Sequence, residues 1–362
     1  MTAAPLLLPT TDLPRLKRRV QALAEQRPAV YRMLSDSGRV LYVGKARQLR
    51  ARLLSYFRAS YPEDKAARIL HAAADIQWEY VSSEFAALLA ELRAIRRYRP
   101  AFNVQMNRTR RNLLIKLSGG PAPRLYTGTA VRADDRAAYG PFGSAMRAQE
   151  AVRVLNDLLG LRDCIQAMPV IFDAQADLFT TSRQAGCIRH ELGTCSGPCA
   201  GFVTESDYRR RAEVAAAFLE GKAIAPLDRV IAAMSQAAAA EEFERASLWR
   251  FRFEQLEWLL AATSRARTAV DLLTFVFRDA GPFGEERAWI IRQGVVRAVY
   301  PWPATPIERE AFLAVVQQEL ERPMPPSWPL PLERLDEILL VMAWFRRHPD
   351  ALRRTTPLTA WV

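Results

Sequence analysis

Two β-prone runs joined by a short polar turn constrain the fold of this chain more than any other feature. Residues 29–34 read Ala-Val-Tyr-Arg-Met-Leu, and residues 40–43 read Val-Leu-Tyr-Val. The segment between them, Ser35-Asp-Ser-Gly-Arg39, has the composition of a hairpin loop. A third run, at residues 76–81, alternates as a half-buried strand does. The pattern predicts a small three-stranded antiparallel sheet.

Helical periodicity surrounds these strands and continues along the chain. The first helices are predicted over residues 11–26, 47–57, 64–74 and 83–98. Further strands are predicted at 113–117, 124–127, 270–277, 288–292 and 295–300, and further helices at 144–159, 205–262, 307–320 and 335–347. This mixture predicts an α+β protein. Its length of 362 residues allows two or three domains.

Positive charge is concentrated in the first third of the sequence. Residues 1–125 hold 23 Lys and Arg against 9 Asp and Glu, a net charge of +14, whereas the remaining residues hold 28 against 30, a net charge of −2. Such an asymmetry is typical of a domain that binds a polyanion. Nucleic acid is the favoured partner, and an anionic membrane surface is the alternative.

All four cysteines fall within one 36-residue stretch, at positions 164, 187, 195 and 199. The opening residues lack the basic segment of a signal peptide, and no apolar run reaches the roughly 18 residues of a membrane span, so we expect a cytoplasmic protein. Thiols stay reduced in that compartment, and a shared metal or cofactor site is therefore favoured over two disulfides.

The predicted hairpin also carries chemistry. Tyr31 lies on its first strand and Tyr42-Val-Gly44 on its second, with Lys45 directly after and Arg52 on the next helix. Paired tyrosines beside a glycine that lets a phosphate approach make a plausible polar site. The alternative is that the tyrosines are ordinary sheet residues and the cations are solvated.

These segments resemble a known family. Residues 29–31 and 41–57 resemble the GIY-YIG nuclease motif as it occurs in UvrC, the bacterial excision-repair endonuclease. Residues 86–91 are similar to the family's metal-binding helix, and residues 98–103 to its Asn motif. The signature Tyr-Gly-Pro-Phe-Gly-Ser at 139–144 and the cysteine segment at 187–201 also resemble UvrC. The similarity runs from about residue 28 to residue 220.

The resemblance implies a role for each matched residue. Tyr42 helps to activate the attacking water, and Tyr31 supports it. Lys45 and Arg52 stabilise charge on the phosphate, and Gly44 belongs to the same motif. Three further positions complete the implied site: Tyr56 contacts the phosphate, Glu91 holds one divalent ion, Mg²⁺ or Mn²⁺, and Asn103 braces the site.

Physical chemistry agrees with this assignment. A phosphodiester gains negative charge as it is attacked, so adjacent cations and a metal stabilise the transition state. Tyrosine has a pKa near 10, and lowering it to about 7 takes roughly 4 kcal/mol, for which Lys45, Arg52 and the metal are the available sources. A single acid at the site, Glu91, favours one metal over two. Basic residues predicted to contact DNA are Arg47, Arg50, Arg108, Arg110 and Arg111.

The four cysteines have the spacing C-x22-C-x7-C-x3-C, which lacks the short pairs usual at zinc sites. The resemblance implies that Cys164, Cys187, Cys195 and Cys199 hold a [4Fe-4S] cluster. Zinc and buried free thiols remain the alternatives.

A later segment, residues 240–250, resembles the UVR helical hairpin through which UvrC meets UvrB, with Phe243 as its apolar anchor. A plain helical hairpin is the alternative. Residues 271–300 resemble the opening strands of the ribonuclease-H-like domain of UvrC, without the acidic catalytic set of that domain. They are therefore predicted to be a truncated, non-catalytic remnant.

The resulting prediction is a GIY-YIG endonuclease of the UvrC/Cho type that nicks one strand of lesion-containing double-stranded DNA, 3′ to the lesion. It lacks the second nuclease domain. The alternatives are a non-catalytic iron–sulfur repair scaffold and a GIY-YIG nuclease outside excision repair. The predicted parts are a lead-in helix (1–27), the nuclease domain (28–106), linker strands with the cysteine cluster (107–220), the UVR-like hairpin (221–264) and a small C-terminal α/β segment (265–362).

Overall fold

The structure is a computed structural model that describes residues 12–103, 113–165, 167–173 and 187–361. The chain divides into two compact units. The described residues of the first unit fall within 1–110, 273–323 and 336–362, and those of the second within 111–272 and 324–335. The helix-rich second unit thus lies between two parts of the first along the sequence.

The first unit begins with the predicted sheet. Strands β1 (Ala29–Leu34), β2 (Val40–Ala46) and β3 (Asp75–Tyr80) pair antiparallel in the order β2-β1-β3. Tyr31 pairs with Gly44 across β1 and β2, and with Trp78 across β1 and β3. The α+β class and the three-stranded antiparallel sheet are confirmed.

Helices cover both faces of this sheet. They are α1 (Leu13–Leu23), α2 (Leu49–Tyr56), α3 (Lys65–Ala72) and α4 (Glu84–Tyr98). Side chains of α1, α2 and α3 share a buried cluster with the face of the sheet that carries Tyr31 and Tyr42. On the opposite face, Ala87 of α4 packs with Val30 and Val43. The alternation along β2 therefore separates the tyrosine face from the face covered by α4.

The second unit contains another three-stranded antiparallel sheet, with β4 (Leu113–Ser118) between β5 (Leu125–Gly128) and β6 (Asp135–Phe142). Its helices are α5 (Ala145–Leu159), α6 (Ile188–Glu191), α7 (Glu205–Leu219), α8 (Ala225–Ala239) and α9 (Phe243–Asp271). Strand β6 was not predicted because Gly140-Pro141 interrupts its pattern. Its position at the edge of the sheet tolerates a proline.

The chain then returns to the first unit. Strands β7 (Phe275–Ala280), β8 (Glu286–Arg292), β9 (Val295–Pro301) and β10 (Thr355–Pro357) form an antiparallel sheet in the order β10-β7-β8-β9. Helices α10 (Pro306–Glu321), α11 (Leu335–Arg347) and α12 (Pro349–Leu352) accompany it. The strand predicted from Val270 begins only at Phe275, because α9 continues to Asp271.

This C-terminal sheet shares a core with α4. Phe85 and Leu89 of α4 are buried together with Phe277, Trp289 and Phe345. Part of residues 265–362, which the sequence assigns to a segment of their own, thus shares a hydrophobic core with α4 of the first unit. Within the described ranges, no helix has the length and hydropathy of a membrane-spanning segment.

Candidate active site

Three tyrosines from three elements form a buried cluster in the first unit. Tyr31 of β1, Tyr42 of β2 and Tyr56 of α2 have ring centroids 6.1 to 6.3 Å apart. None exposes more than 3% of its surface. The hydroxyls of Tyr31 and Tyr56 are 2.8 Å apart, and the hydroxyl of Tyr56 also hydrogen-bonds with Tyr42. The cluster therefore joins both strands of the hairpin to the following helix.

Gly44 is the residue that makes room for this cluster. A Cβ at position 44 would lie 2.5 Å from the ring carbon Cζ and from the hydroxyl of Tyr31, and 2.9 Å from a ring carbon of Tyr42. Real Cβ atoms do not approach other atoms so closely. The glycine is needed here for space, because its φ lies outside the left-handed region.

Burial keeps two of the tyrosines protonated. It is the main cause that raises the pKa of both Tyr31 and Tyr56 far above the ordinary value of tyrosine. Arg52 acts in the opposite direction on Tyr31: its Nε lies 3.3 Å from the Tyr31 hydroxyl, to which it donates. Its guanidinium carbon is also 5.2 Å from the centre of the Tyr56 ring. Arg52 itself is exposed, so the cluster presents a positive charge at the surface.

Glu91 approaches the same site from α4. The backbone N–H of Lys45 donates a hydrogen bond to its carboxylate. Burial raises the pKa of the Glu91 carboxyl, while the charges of Lys45 and Arg52 act to lower it. Helices α4 and α2 and strand β2 thus bring a half-buried carboxylate close to two cations.

Asn103 fastens the strand that carries the site. Its side-chain oxygen accepts a hydrogen bond from the backbone N–H of Val43, and its side-chain nitrogen donates to the Val43 carbonyl, both at 2.8 Å. Asn103 is only 7% exposed. This paired contact ties Asn103 to β2 between Tyr42 and Gly44.

The residues predicted to contact DNA differ in their surroundings. Arg47 is exposed, and its Nε lies 3.0 Å from a carboxylate oxygen of Glu84. Arg50 instead donates to the backbone carbonyl of Ala24, so its head group is engaged within the protein. Arg108, Arg110 and Arg111 lie outside the described residues.

The four cysteines line one cavity of the second unit, with a volume of about 60 Å³. Among the described residues, no group of three His, Cys, Asp or Glu side chains could hold a metal ion. Burial raises the pKa of the Cys195 and Cys199 thiols. Arg162 also lines the cavity and donates to the sulfur of Cys164 at 3.7 Å. Arg162 belongs to none of the sequence motifs, and only its position two residues before Cys164 could have pointed to it.

Helices α8 and α9 form the expected antiparallel hairpin, joined by a tight turn in which Glu241 has a φ of +57°. Phe243 lies at the start of α9 and is 74% exposed. Leu248, further along the same helix, is 63% exposed. An apolar surface therefore lies at the tip of this hairpin.

Two family models match segments of the chain, one in each unit. Residues 27–104 match the UvrC-like GIY-YIG domain, and residues 112–218 match the middle domain of the UvrC/Cho excinucleases. Both domains belong to the UvrC family. The UvrC-like GIY-YIG domain contains every residue of the candidate site, from Tyr31 to Asn103. The UvrC middle domain contains all four cysteines.

Individual curated proteins are similar to this chain over longer stretches. The UvrABC system protein C of Alcanivorax borkumensis is 34% identical over 226 residues, which is 62% of this chain and 35% of that protein. The protein of the same name from Dechloromonas aromatica is 30% identical over 352 residues, which is 92% of this chain and 56% of that protein. The chain thus spans between about a third and a little over half of the relatives that it matches.

Solved structures of the GIY-YIG N-terminal endonuclease domain of UvrC from Thermotoga maritima are also similar. One of them, bound to magnesium as its catalytic divalent cation, is 32% identical and covers 25% of this chain and 96% of that domain, with a TM-score of 0.22.

Proposed function

We propose that this protein is a metal-dependent DNA endonuclease of nucleotide excision repair, which nicks one strand of lesion-containing duplex 3′ to the lesion. The observation that carries the proposal is the meeting of Glu91, Lys45 and Arg52 beside the tyrosine cluster in a UvrC-like GIY-YIG domain. A carboxylate that can hold a cation and two basic side chains that can face a phosphate would stabilise the negative charge that develops during phosphodiester hydrolysis.

Glu91 would hold the divalent ion, Mg²⁺ or Mn²⁺. Mg²⁺ commonly binds through one or two carboxylates and keeps several waters, so one half-buried carboxylate fits it. The bound ion would stabilise negative charge that develops on the phosphate. No group of three acidic or other metal-binding side chains is present in the described ranges, which favours one ion over two.

The remaining residues would bind and orient the substrate. Lys45 and Arg52 would face the phosphate oxygens, and Arg52 is held in place by its contacts with Tyr31 and Tyr56. Tyr42 would orient the attacking water through its hydroxyl and so help to activate it. Tyr56 would hold the Tyr42 hydroxyl in position through a hydrogen bond, and Tyr31 would hold Tyr56 in the same way. Both are protonated because they are buried, so they would not act as bases.

The test of this proposal is a nicking assay on a duplex with one defined lesion and on an undamaged duplex of the same sequence. We expect Mg²⁺-dependent cleavage of the damaged duplex, stimulated by UvrB, because the tip of the α8–α9 hairpin with Phe243 is proposed to bind UvrB. Equal cleavage of both duplexes, with no effect of UvrB, would place the nuclease outside excision repair.

A [4Fe-4S] cluster is proposed for the cysteine cavity. Four thiols line one space, and two arginines beside them, Arg162 and Arg189, would stabilise thiolate charge. The spacing C-x22-C-x7-C-x3-C lacks the short cysteine pairs usual at zinc sites, which favours an iron–sulfur group over zinc.

Protein purified without oxygen is therefore expected to contain iron and sulfide and to absorb in the visible range. Replacing Cys195 with serine is expected to remove both, because this buried thiol supplies one of four ligands. Glu191→Gln, an exposed substitution in the same segment, is the control and should retain the iron. Stoichiometric zinc, or four titratable thiols in metal-free protein, would contradict the cluster.

A further inference from the structure

Helix α4, which carries Glu91, lies between two sheets of the first unit. One face packs through Ala87 on Val30 and Val43 of the first sheet. Another face packs through Phe85 on the C-terminal sheet, with ring centroids 5.4 Å from Phe277 and 5.1 Å from Trp289. The metal-binding helix is thus in contact with a part of the chain that lies almost 200 residues further on.

The N-terminal end of α4 is bonded to the same C-terminal sheet. Ser83 caps the helix, since its hydroxyl accepts from the backbone N–H of Ala86 at 3.0 Å. The same hydroxyl donates to the carboxylate of Asp279 on β7. Trp289 on β8 donates to the same carboxylate oxygen through its indole nitrogen at 3.2 Å. Asp279 is only 4% exposed, so this carboxylate is enclosed by its contacts with Ser83 and Trp289.

Two further contacts fix the position of α4. The turn between β7 and β8 approaches the residue before the cap so closely that a Cβ on Gly281 would lie 2.1 Å from the Ser82 carbonyl oxygen. At the other end of α4, Arg96 pairs with Asp336 at 3.6 Å and with Glu337 at 4.0 Å, both at the start of α11. The helix is therefore held at both ends and along one face.

These contacts bear directly on Glu91, which lies between the two ends. A metal ligand has to be held within about 0.5 Å of its working position, and groups that orient ligands typically affect metal affinity or activity by about 10- to 100-fold. Of the partners just described, only Asp279 has a buried carboxylate that contacts Ser83, the capping residue of α4.

We infer that the C-terminal sheet (β7–β10) and α11 position the Glu91 helix, and that Asp279 is a positioning residue that acts through Ser83. This inference rests on the proposed function, since it assigns to Glu91 the binding of the divalent ion. Residues 273–361 then help to position the helix that carries Glu91 in the nuclease unit.

The test is the Mg²⁺ concentration for half-maximal nicking, measured with the full chain. Asp279→Ala is expected to raise it about 10-fold, at the lower end of the range for ligand-orienting groups, with DNA affinity unchanged. Asp279→Asn keeps an oxygen that can accept from both Ser83 and Trp289, and it should restore the wild-type value. Asp350→Ala, which removes an exposed carboxylate 3.7 Å from Arg353, is the control.

A double-mutant cycle separates positioning from simple destabilisation. If Asp279 acts through Ser83, the Mg²⁺ requirement of the Ser83→Ala, Asp279→Ala double variant should equal that of Ser83→Ala, because the bond through which Asp279 acts is already absent when residue 83 is alanine. Gly281→Ala is a second variant, for use if Asp279→Ala fails to fold. Its added Cβ has to move the β7–β8 turn away from Ser82, so it should raise the Mg²⁺ requirement in the same way.

An unchanged Mg²⁺ requirement in folded Asp279→Ala and Gly281→Ala would overturn the inference while leaving the nuclease activity standing. A wild-type chain that nicks no DNA at any Mg²⁺ concentration would instead overturn the proposed function.

Discussion

Replacing Glu91 with glutamine is expected to lower metal-dependent nicking by about 10²- to 10³-fold, the loss typical when one charge-stabilising group is removed from an active site. Glutamine keeps the size and the hydrogen-bond acceptor for the Lys45 N–H but loses the charge that binds the ion. DNA affinity should persist, because it derives from the basic surface. The measurement is a single-turnover rate beside a binding titration, with exposed Glu63→Gln as the control.

The same variant has a second readout in stability. Because burial raises the pKa of the Glu91 carboxyl in the folded protein, folding favours the protonated form. Ionisation of this carboxyl therefore costs stability as the pH rises above the unfolded pKa of about 4.3, and this cost is absent below that pKa. Glu91→Gln should raise the melting temperature at pH 7 and give no gain at acidic pH.

A stabilised, inactive variant would identify Glu91 as a residue kept for chemistry. Full nicking activity of Glu91→Gln would show that the ion is held elsewhere, and a lower melting temperature at pH 7 would show that the carboxylate serves the fold.

Replacing Gly44 with alanine is expected to have the second large effect. The added Cβ would overlap Tyr31 and Tyr42, so the rings have to move or β2 has to shift away from β1. Overpacking of this kind costs about 1–3 kcal/mol in the free energy of unfolding. Because Tyr31 also holds Arg52, nicking should fall even under conditions in which the variant remains folded. Chemical denaturation and the nicking rate measure the two effects.

Gly143→Ala is the matched control for this change. A Cβ at position 143 has no atom within 4 Å, and its φ lies outside the left-handed region, so alanine should be tolerated there. Wild-type stability and activity of Gly44→Ala would contradict the packing of the tyrosine cluster.

Local patterns in the sequence were enough to predict the hairpin and the helices around it. The turn chemistry of residues 35–39 and the alternation along β1 and β2 depend on neighbouring residues only, and the structure has both strands where they were expected. The extent of α9 was underestimated, because Val270 and its neighbours are β-prone in isolation while the helix continues through them. Strand β6 was not predicted, because Gly140 and Pro141 interrupt the pattern by which an edge strand is recognised.

The site was accessible to sequence reasoning only in part. The motif resemblance selected Tyr31, Tyr42 and Glu91, and the structure brings the three tyrosines together and places Glu91 beside Lys45. The sequence does not show why position 44 has to be glycine, because this depends on the distance to the Tyr31 ring on another strand. The bond between Ser83 and Asp279 joins residues 196 positions apart, and no periodicity reports such a contact.

The most direct test of the account is single-turnover cleavage of a duplex that carries one central lesion, with each strand labelled separately and with UvrB and Mg²⁺ present. The account predicts one cut per duplex, in the damaged strand and 3′ to the lesion, which is lost in Glu91→Gln. Cuts in both strands, or cleavage that persists without any divalent ion, would contradict a single metal-dependent centre built on Glu91 and the tyrosine cluster.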